Sequence, residues 1–201
     1  MSRSLLPVLS ALVLATVAAA CSADRGTGPG GGSAFAFDDA VADTLAASEP
    51  TTVRAIDATR VAGRVTDDTI EIVLTFREPV ATWTDSVANS LDGFVDIDVD
   101  ENRATGIPAD IDEEGLGSAE MGSDYYVSLR DDGAGHVALV DPATGSANSI
   151  PATFSGSTVT IRVPLALVGR DDGNFTMAAV IGNGDRPTDL LPNGGHYTVH
   201  R

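Results

Sequence analysis

From residue 50 onward this chain alternates where a helical protein would wind. The stretch TIEIVLTF puts Ile70, Ile72, Leu74 and Phe76 on one parity and Thr69, Glu71 and Thr75 on the other. A strict period of two is the signature of a half-buried β-strand. Glu78-Pro79 ends the run, because proline cannot continue a central ladder. TRVAGRVT, GFVDIDV, DYYVSLR, HVALVD, IPATF, TVTIRVPL, FTMAAVIG and HYTVH read the same way. The connectors RDDGAG, DPATGS, SGS, GRDDGN and NGDRP are built from turn-forming Gly and Asp. No stretch of a dozen residues after residue 50 carries a 3.6-residue period. These patterns predict an all-β fold, an antiparallel β-sandwich of jelly-roll or immunoglobulin-like form with about 8–10 strands. Phe76, Trp83, Phe94, Tyr126, Phe154 and Phe175 are the aromatic candidates for its core.

The N-terminus is a different kind of sequence. MSRS and the apolar run Leu5 to Ala20 have the layout of a secretory signal peptide over residues 1–20. Small residues lead into Cys21, the only cysteine, as in a bacterial lipoprotein signal, although Ala18 stands where that signal usually has Leu. The expectation is a lipidated Cys21 anchoring an exported protein in the bacterial cell envelope, on the periplasmic or outer side. A lone cysteine forms no internal disulfide. SADRGTGPGGGS completes a tether over residues 21–33, with an r.m.s. reach of roughly 20 Å. Residues 34–50 are ambiguous between a strand and a short helical turn and are read as an N-terminal extension. The sandwich domain is placed at 51–201.

The chain has 12 Arg, no Lys and 29 acidic residues, for a net charge of -17. Such a chain is repelled by nucleic acid and by anionic lipid surfaces. The expected partners are therefore the membrane, through the lipid anchor, and not nucleic acid.

The acids are concentrated. Phe94 to Val127 holds ten of them and one base, Arg103. With FVDIDVD on a strand, Val95, Ile97 and Val99 face one side and Asp96, Asp98 and Asp100 the other. Carboxylates on one strand face sit about 6.6 Å apart and repel by roughly 0.6 kcal/mol per adjacent pair even in water. A strand gains nothing from that repulsion, whereas a bound cation reverses it. The donors nearby are hard oxygens, including Asn102 and Thr105, with no Cys or His in the segment. That excludes a usual zinc site and favours Ca²⁺. Asp98, Asp100 and Asn102 match positions 1, 3 and 5 of an EF-hand loop, but Arg103 and Ala109 at positions 6 and 12 reject one. Asp124 or the run DIDEE can supply further ligands, and a merely solvated acidic loop is the alternative.

Four motifs in order resemble a known pattern. DIDVDENRATG is followed by GSDYYVSL, then VPLALVG, then Asp189, Pro192 and Gly195 in DLLPNGG. The chain thus resembles bacterial secreted β-sandwich domains that are DOMON-like and related to some carbohydrate-binding modules. The resemblance implies a jelly-roll-like sandwich whose relatives bind sugars, haem or structural calcium. Carried over, it nominates Asp98, Asp100, Asn102 and Asp124 as cation ligands; the strand pattern adds Asp96.

Three functions compete. The first is a non-catalytic module with a structural Ca²⁺, binding a glycan or surface polymer. Trp83, Tyr125 and Tyr197 are its candidates for stacking on sugar rings, and one of Tyr125 and Tyr126 must face outward. The second is a haem-binding electron-transfer module of the DOMON type, with Met121 and His196 as axial ligands. The third is a secreted hydrolase using paired carboxylates, although no catalytic motif is present and Lys chemistry is absent. The sequence reading favours the first, with no catalytic residues.

Overall fold

The computed structural model describes residues 32–45, 54–84, 88–169, 172–184 and 186–201. The expected signal peptide, Cys21 and the tether up to residue 31 lie outside them.

The fold is all-β and antiparallel. Its strands are β1 (Ser33–Asp38), β2 (Ala58–Val65), β3 (Thr69–Phe76), β4 (Leu91–Asp98), β5 (Ile107–Pro108), β6 (Gly122–Ser123), β7 (Tyr125–Ser128), β8 (His136–Asp141), β9 (Ser146–Ser155), β10 (Thr158–Pro164), β11 (Phe175–Asn183), β12 (Arg186–Leu191) and β13 (Tyr197–Val199). One short helix, α1 (Asp110–Glu113), lies between β5 and β6. Eleven strands form one sheet in the order β1-β2-β3-β10-β9-β8-β7-β4-β11-β12, with β13 also on β11; β5 and β6 form a separate pair.

The sheet curls over its own apolar side, giving a sandwich-like body. Ile70, Ile72, Leu74 and Phe76 of β3, at 2% exposure or less, share the interior with Val95 and Ile97 of β4 and Phe175 and Met177 of β11. The alternation read from the sequence is thus the alternation of the core. Where the ends of the curled sheet meet, β2 and β12 are joined by side chains. Ala58 N donates to Asp189 Oδ2 at 2.7 Å, Ile56 N donates to Thr188 Oγ1 at 3.2 Å, and Thr188 Oγ1 donates to Ile56 O at 2.9 Å.

The described part of the 34–50 segment, residues 34–45, does not stand outside the domain. β1 pairs with β2 along its whole length, from Ser33 opposite Val65 to Asp38 opposite Arg60. Phe35 meets Phe175 edge-on at 5.9 Å, and Phe37 stacks on Tyr197 at 4.6 Å. Sequence alone left this stretch open because FAFDDAVADTL supports either period. The same contacts bury Tyr197, which removes it as a surface stacking residue.

A second layer covers the outer face of β4 and β11. The segment from 99 to 124 folds back over it, carrying β5, α1 and β6. Ile111, Ala119 and Met121 pack there against Ala178, Val180 and Leu190. Full burial of a side chain the size of Ile111 or Met121 stabilises by about 1.5–3 kcal/mol, which holds the segment down. Met121, the sequence's haem-ligand candidate, is part of this apolar packing.

Phe35→Ala tests whether β1 belongs to the cooperative unit. Loss of a buried Phe side chain costs about 3–5 kcal/mol, and the melting temperature of a domain this size should fall by roughly 10 °C. An unchanged thermal melt would place β1 outside the unit.

Candidate metal centre

The site grows from the end of β4. Its outer face carries Asp92, Phe94, Asp96 and Asp98, and the chain then leaves the sheet in a tight turn. Asp98 is 1% exposed and Asp100 is exposed. Glu101 takes a left-handed φ of 53°, a conformation uncommon for a residue with a side chain. Asn102 N then donates back to Asp100 Oδ1 at 2.9 Å, and more weakly to Asp98 Oδ1 at 3.3 Å. Thr105 Oγ1 lies 2.9 Å from Asp100 Oδ1.

Two glycines bring in the third acid. A Cβ on Gly106, whose φ is 68°, would stand 2.4 Å from Ser123 O, and one on Gly122 would stand 2.0 Å from Thr105 O. Only glycine permits that close approach, which lays the loop along β6 and sets Asp124 beside it. Asp124 Oδ2 accepts from Val99 N at 3.1 Å. The T-G and G-x-D pieces of the sequence pattern are therefore two sides of one contact. As a result Asp98, Asp100 and Asp124 each place a carboxylate oxygen within 4.8 Å of the others. Burial is the main cause pushing the Asp98 carboxyl above its usual range, and likewise that of Asp124.

A fourth polar group lies on the same sheet face. Thr176 of β11 is the cross-strand partner of Asp98, and cross-strand partners share a face. It is 5% exposed, and its hydroxyl is buried without a hydrogen-bond partner. Oxygen donors of this kind suit a hard divalent cation such as Ca²⁺.

Of the five ligands read from the sequence, Asp98, Asp100 and Asp124 converge. Asn102 contributes its backbone N–H to the turn, while its Oδ1 accepts from Ala104 N at 3.1 Å. Asp96 stands apart, turned toward α1, with Oδ2 accepting from Asp110 N at 2.9 Å. Burial, and then the Asp110 charge beside it, raise its pKa to about 7; burial and Glu113 raise Asp110 to about 6. Thr176 was missed in the sequence, because its relation to Asp98 exists only through strand register.

A second group was also missed. Asp39, Asp43 and Asp189 bring carboxylate oxygens within 4.8 Å of one another where β1 and β12 approach at the closing edge. Asp39 Oδ2 and Asp43 Oδ1 are buried without hydrogen-bond partners. Burial above all, reinforced by the Asp43 charge, raises Asp39 to about 6. Burial raises Asp189 to about 7 against the opposing bonds from Ala58 and Leu190 N–H.

The aromatic candidates separate as well. Trp83 is half-buried under the guanidinium of Arg130, 4.8 Å from the ring centroid. Arg130 in turn grips Asp92 at 2.8 and 2.7 Å. Tyr125 packs against the main core. Tyr126 is the outer-face tyrosine, edge-on to Phe94 at 5.6 Å. Beside them lies a groove of about 210 Å³ lined by Phe94, Arg130, Val180, Arg186 and Pro187.

No family model matches this chain, and no curated protein matches it closely enough to count as a relative.

The closing-edge acids predict a pH dependence. Both folded pKa values lie above the usual 3.8, so the folded state holds protons that the unfolded chain has released. Stability is then highest on the acid side and falls as pH rises from about 4 to about 7. Thermal melts in chelator across that range should show the fall, and Asp39→Asn should make it shallower. A melting temperature rising steadily to pH 7 would contradict the assignment.

Proposed function

We propose that the protein is an exported, lipid-anchored, non-catalytic β-sandwich module whose acidic loop is clamped by a structural Ca²⁺ at Asp98, Asp100 and Asp124. The meeting of those three carboxylates, with the buried, unpartnered Thr176 hydroxyl opposite Asp98 on the same sheet face, is the observation that carries this reading. The cation ties the end of β4 to the start of β7 and so fixes the root of the covering segment. The resemblance of the motifs to DOMON-like and carbohydrate-binding modules supports the same reading, as do the export-type N-terminus and the Gly-rich tether. The groove beside Phe94, with Trp83 and Tyr126 near it and Arg130 and Arg186 at its edge, suits a glycan or surface polymer. It offers an aromatic face for a sugar ring and guanidinium donors for its oxygens.

Calcium at a hundred times its dissociation constant adds about 2.7 kcal/mol to the folded state. Thermal melts with calcium and with chelator should therefore differ by several degrees, and Asp98→Ala combined with Asp100→Ala should narrow the difference by the share this site supplies. Equal melting temperatures for the unmutated protein would sink the calcium clamp. For the groove, a glycan array should give binding that Phe94→Ala weakens at least tenfold. An array with no binding would remove the glycan half of the reading and leave the clamp standing.

A further inference from the structure

The acids of α1 and its C-cap, Asp110, Asp112, Glu113 and Glu114, fold back over β4 with no base in the helix to meet them. Asp96 points into this group from the sheet below. It is 1% exposed. Its Oδ2 is held by Asp110 N at 2.9 Å, whereas its Oδ1 is buried without a hydrogen-bond partner. Asp110 repeats the arrangement from above, because its Oδ2 is also buried and unpartnered. A carboxylate only accepts, so while both groups are ionised neither unpartnered oxygen can satisfy the other. The Asp110 N–H and the Ser123 hydroxyl beside Asp96 offset only part of the cost of burying its charge.

We infer that Asp96 and Asp110 form a second divalent-cation site, of the Ca²⁺ or Mg²⁺ class, distinct from the one at Asp98, Asp100 and Asp124. The donors are again hard oxygens, and the exposed Glu113 lies three residues further along α1. Asp96 lies two residues from Asp98 on the same strand face, about 6.6 Å along it, so each position can hold its own ion. The cation here does a different job. It binds α1 to the middle of β4, where Ile111 packs on Ala178 and Val180, and so pins the centre of the covering segment. The inference does not depend on the other site being filled.

Calcium stoichiometry on the purified full chain, by isothermal titration calorimetry at neutral pH, tests it. Asp96→Asn should bind one equivalent fewer than the unmutated chain. Asp110→Asn should lose the same equivalent, and the double variant should lose no more. Asp98→Ala with Asp100→Ala should retain that equivalent, which separates failure of this site from failure of the other. Should an Asp96 or Asp110 variant fail to fold, hydrogen exchange in the Asp98/Asp100 variant decides. Adding calcium should still slow exchange across residues 107–121. An unchanged count in Asp96→Asn overturns the site, and so does exchange that ignores calcium; either result would leave the two carboxyls sharing a proton instead.

Discussion

Negative charge on the outer face of β4 has nowhere to go. Asp92, Asp96 and Asp98 are 4%, 1% and 1% exposed, and a carboxylate withdrawn from water must be paired, protonated or bound to a metal. The chain answers the first of them with protein. Arg130 reaches across from the end of β7 and takes both oxygens of Asp92 in the paired geometry that guanidinium allows. For Asp96 and Asp98 it supplies backbone N–H donors, the Ser123 hydroxyl beside Asp96 and further acids, but no base. The single base between residues 94 and 127, Arg103, is out in solvent. One strand face thus carries a solved ion pair and, next to it, a charge excess whose balance must come from outside the chain.

The covering segment is organised by that excess as much as by its small apolar cluster. Its root is set where Asp98, Asp100 and Asp124 meet, through the contact that Gly106 and Gly122 permit. Its middle is set where Asp96 holds the first amide of α1. A helix of four residues has no stability of its own. Packing of Ile111 and the bond from Asp96 are what keep it in place. The closing edge of the sheet repeats the theme, since buried Asp189 stitches β12 to β2 through Ala58 N while lying among Asp39 and Asp43. In both places an acid does structural work by accepting from backbone N–H, and in both it accumulates neighbours of its own sign.

What the sequence disclosed follows from which interactions are local. TIEIVLTF and HVALVD coincide with β3 and β8 end to end, because a half-buried strand writes its period into its own residues. β1 was ambiguous, since its apolar pair Phe35 and Phe37 is too short to separate a period of two from a helical turn. β12 was hidden behind turn-forming residues, where Arg186-Pro187 looks like the end of a loop. At the site, the D-x-D-x-N opening and the two glycines were legible, and they brought out Asp98, Asp100 and Asp124. The separation of Asp96 from that trio was not legible, since alternation places all three β4 acids on one face and says nothing of what lies above each. Thr176 and the Asp39, Asp43 and Asp189 group depend on strand register and sheet closure, which no local pattern records.

On the proposed reading, the unusual charge of the whole chain acquires a physical sense. A chain with a net charge of -17 and no Lys gains little from internal ion pairs and resists compaction through self-repulsion. Before export, where free calcium is scarce, the acid-lined strand face works against folding, and an unfolded chain is the one that can be translocated. Outside, calcium-binding modules operate with dissociation constants of about 10⁻⁴–10⁻³ M, matched to the calcium available there. Weak sites suffice, because each ion also relieves a repulsion that the sequence has built in. Part of the folding free energy is then delivered by the compartment, and the acids that look wasteful in a sheet become a means by which the domain is most stable where it is to act.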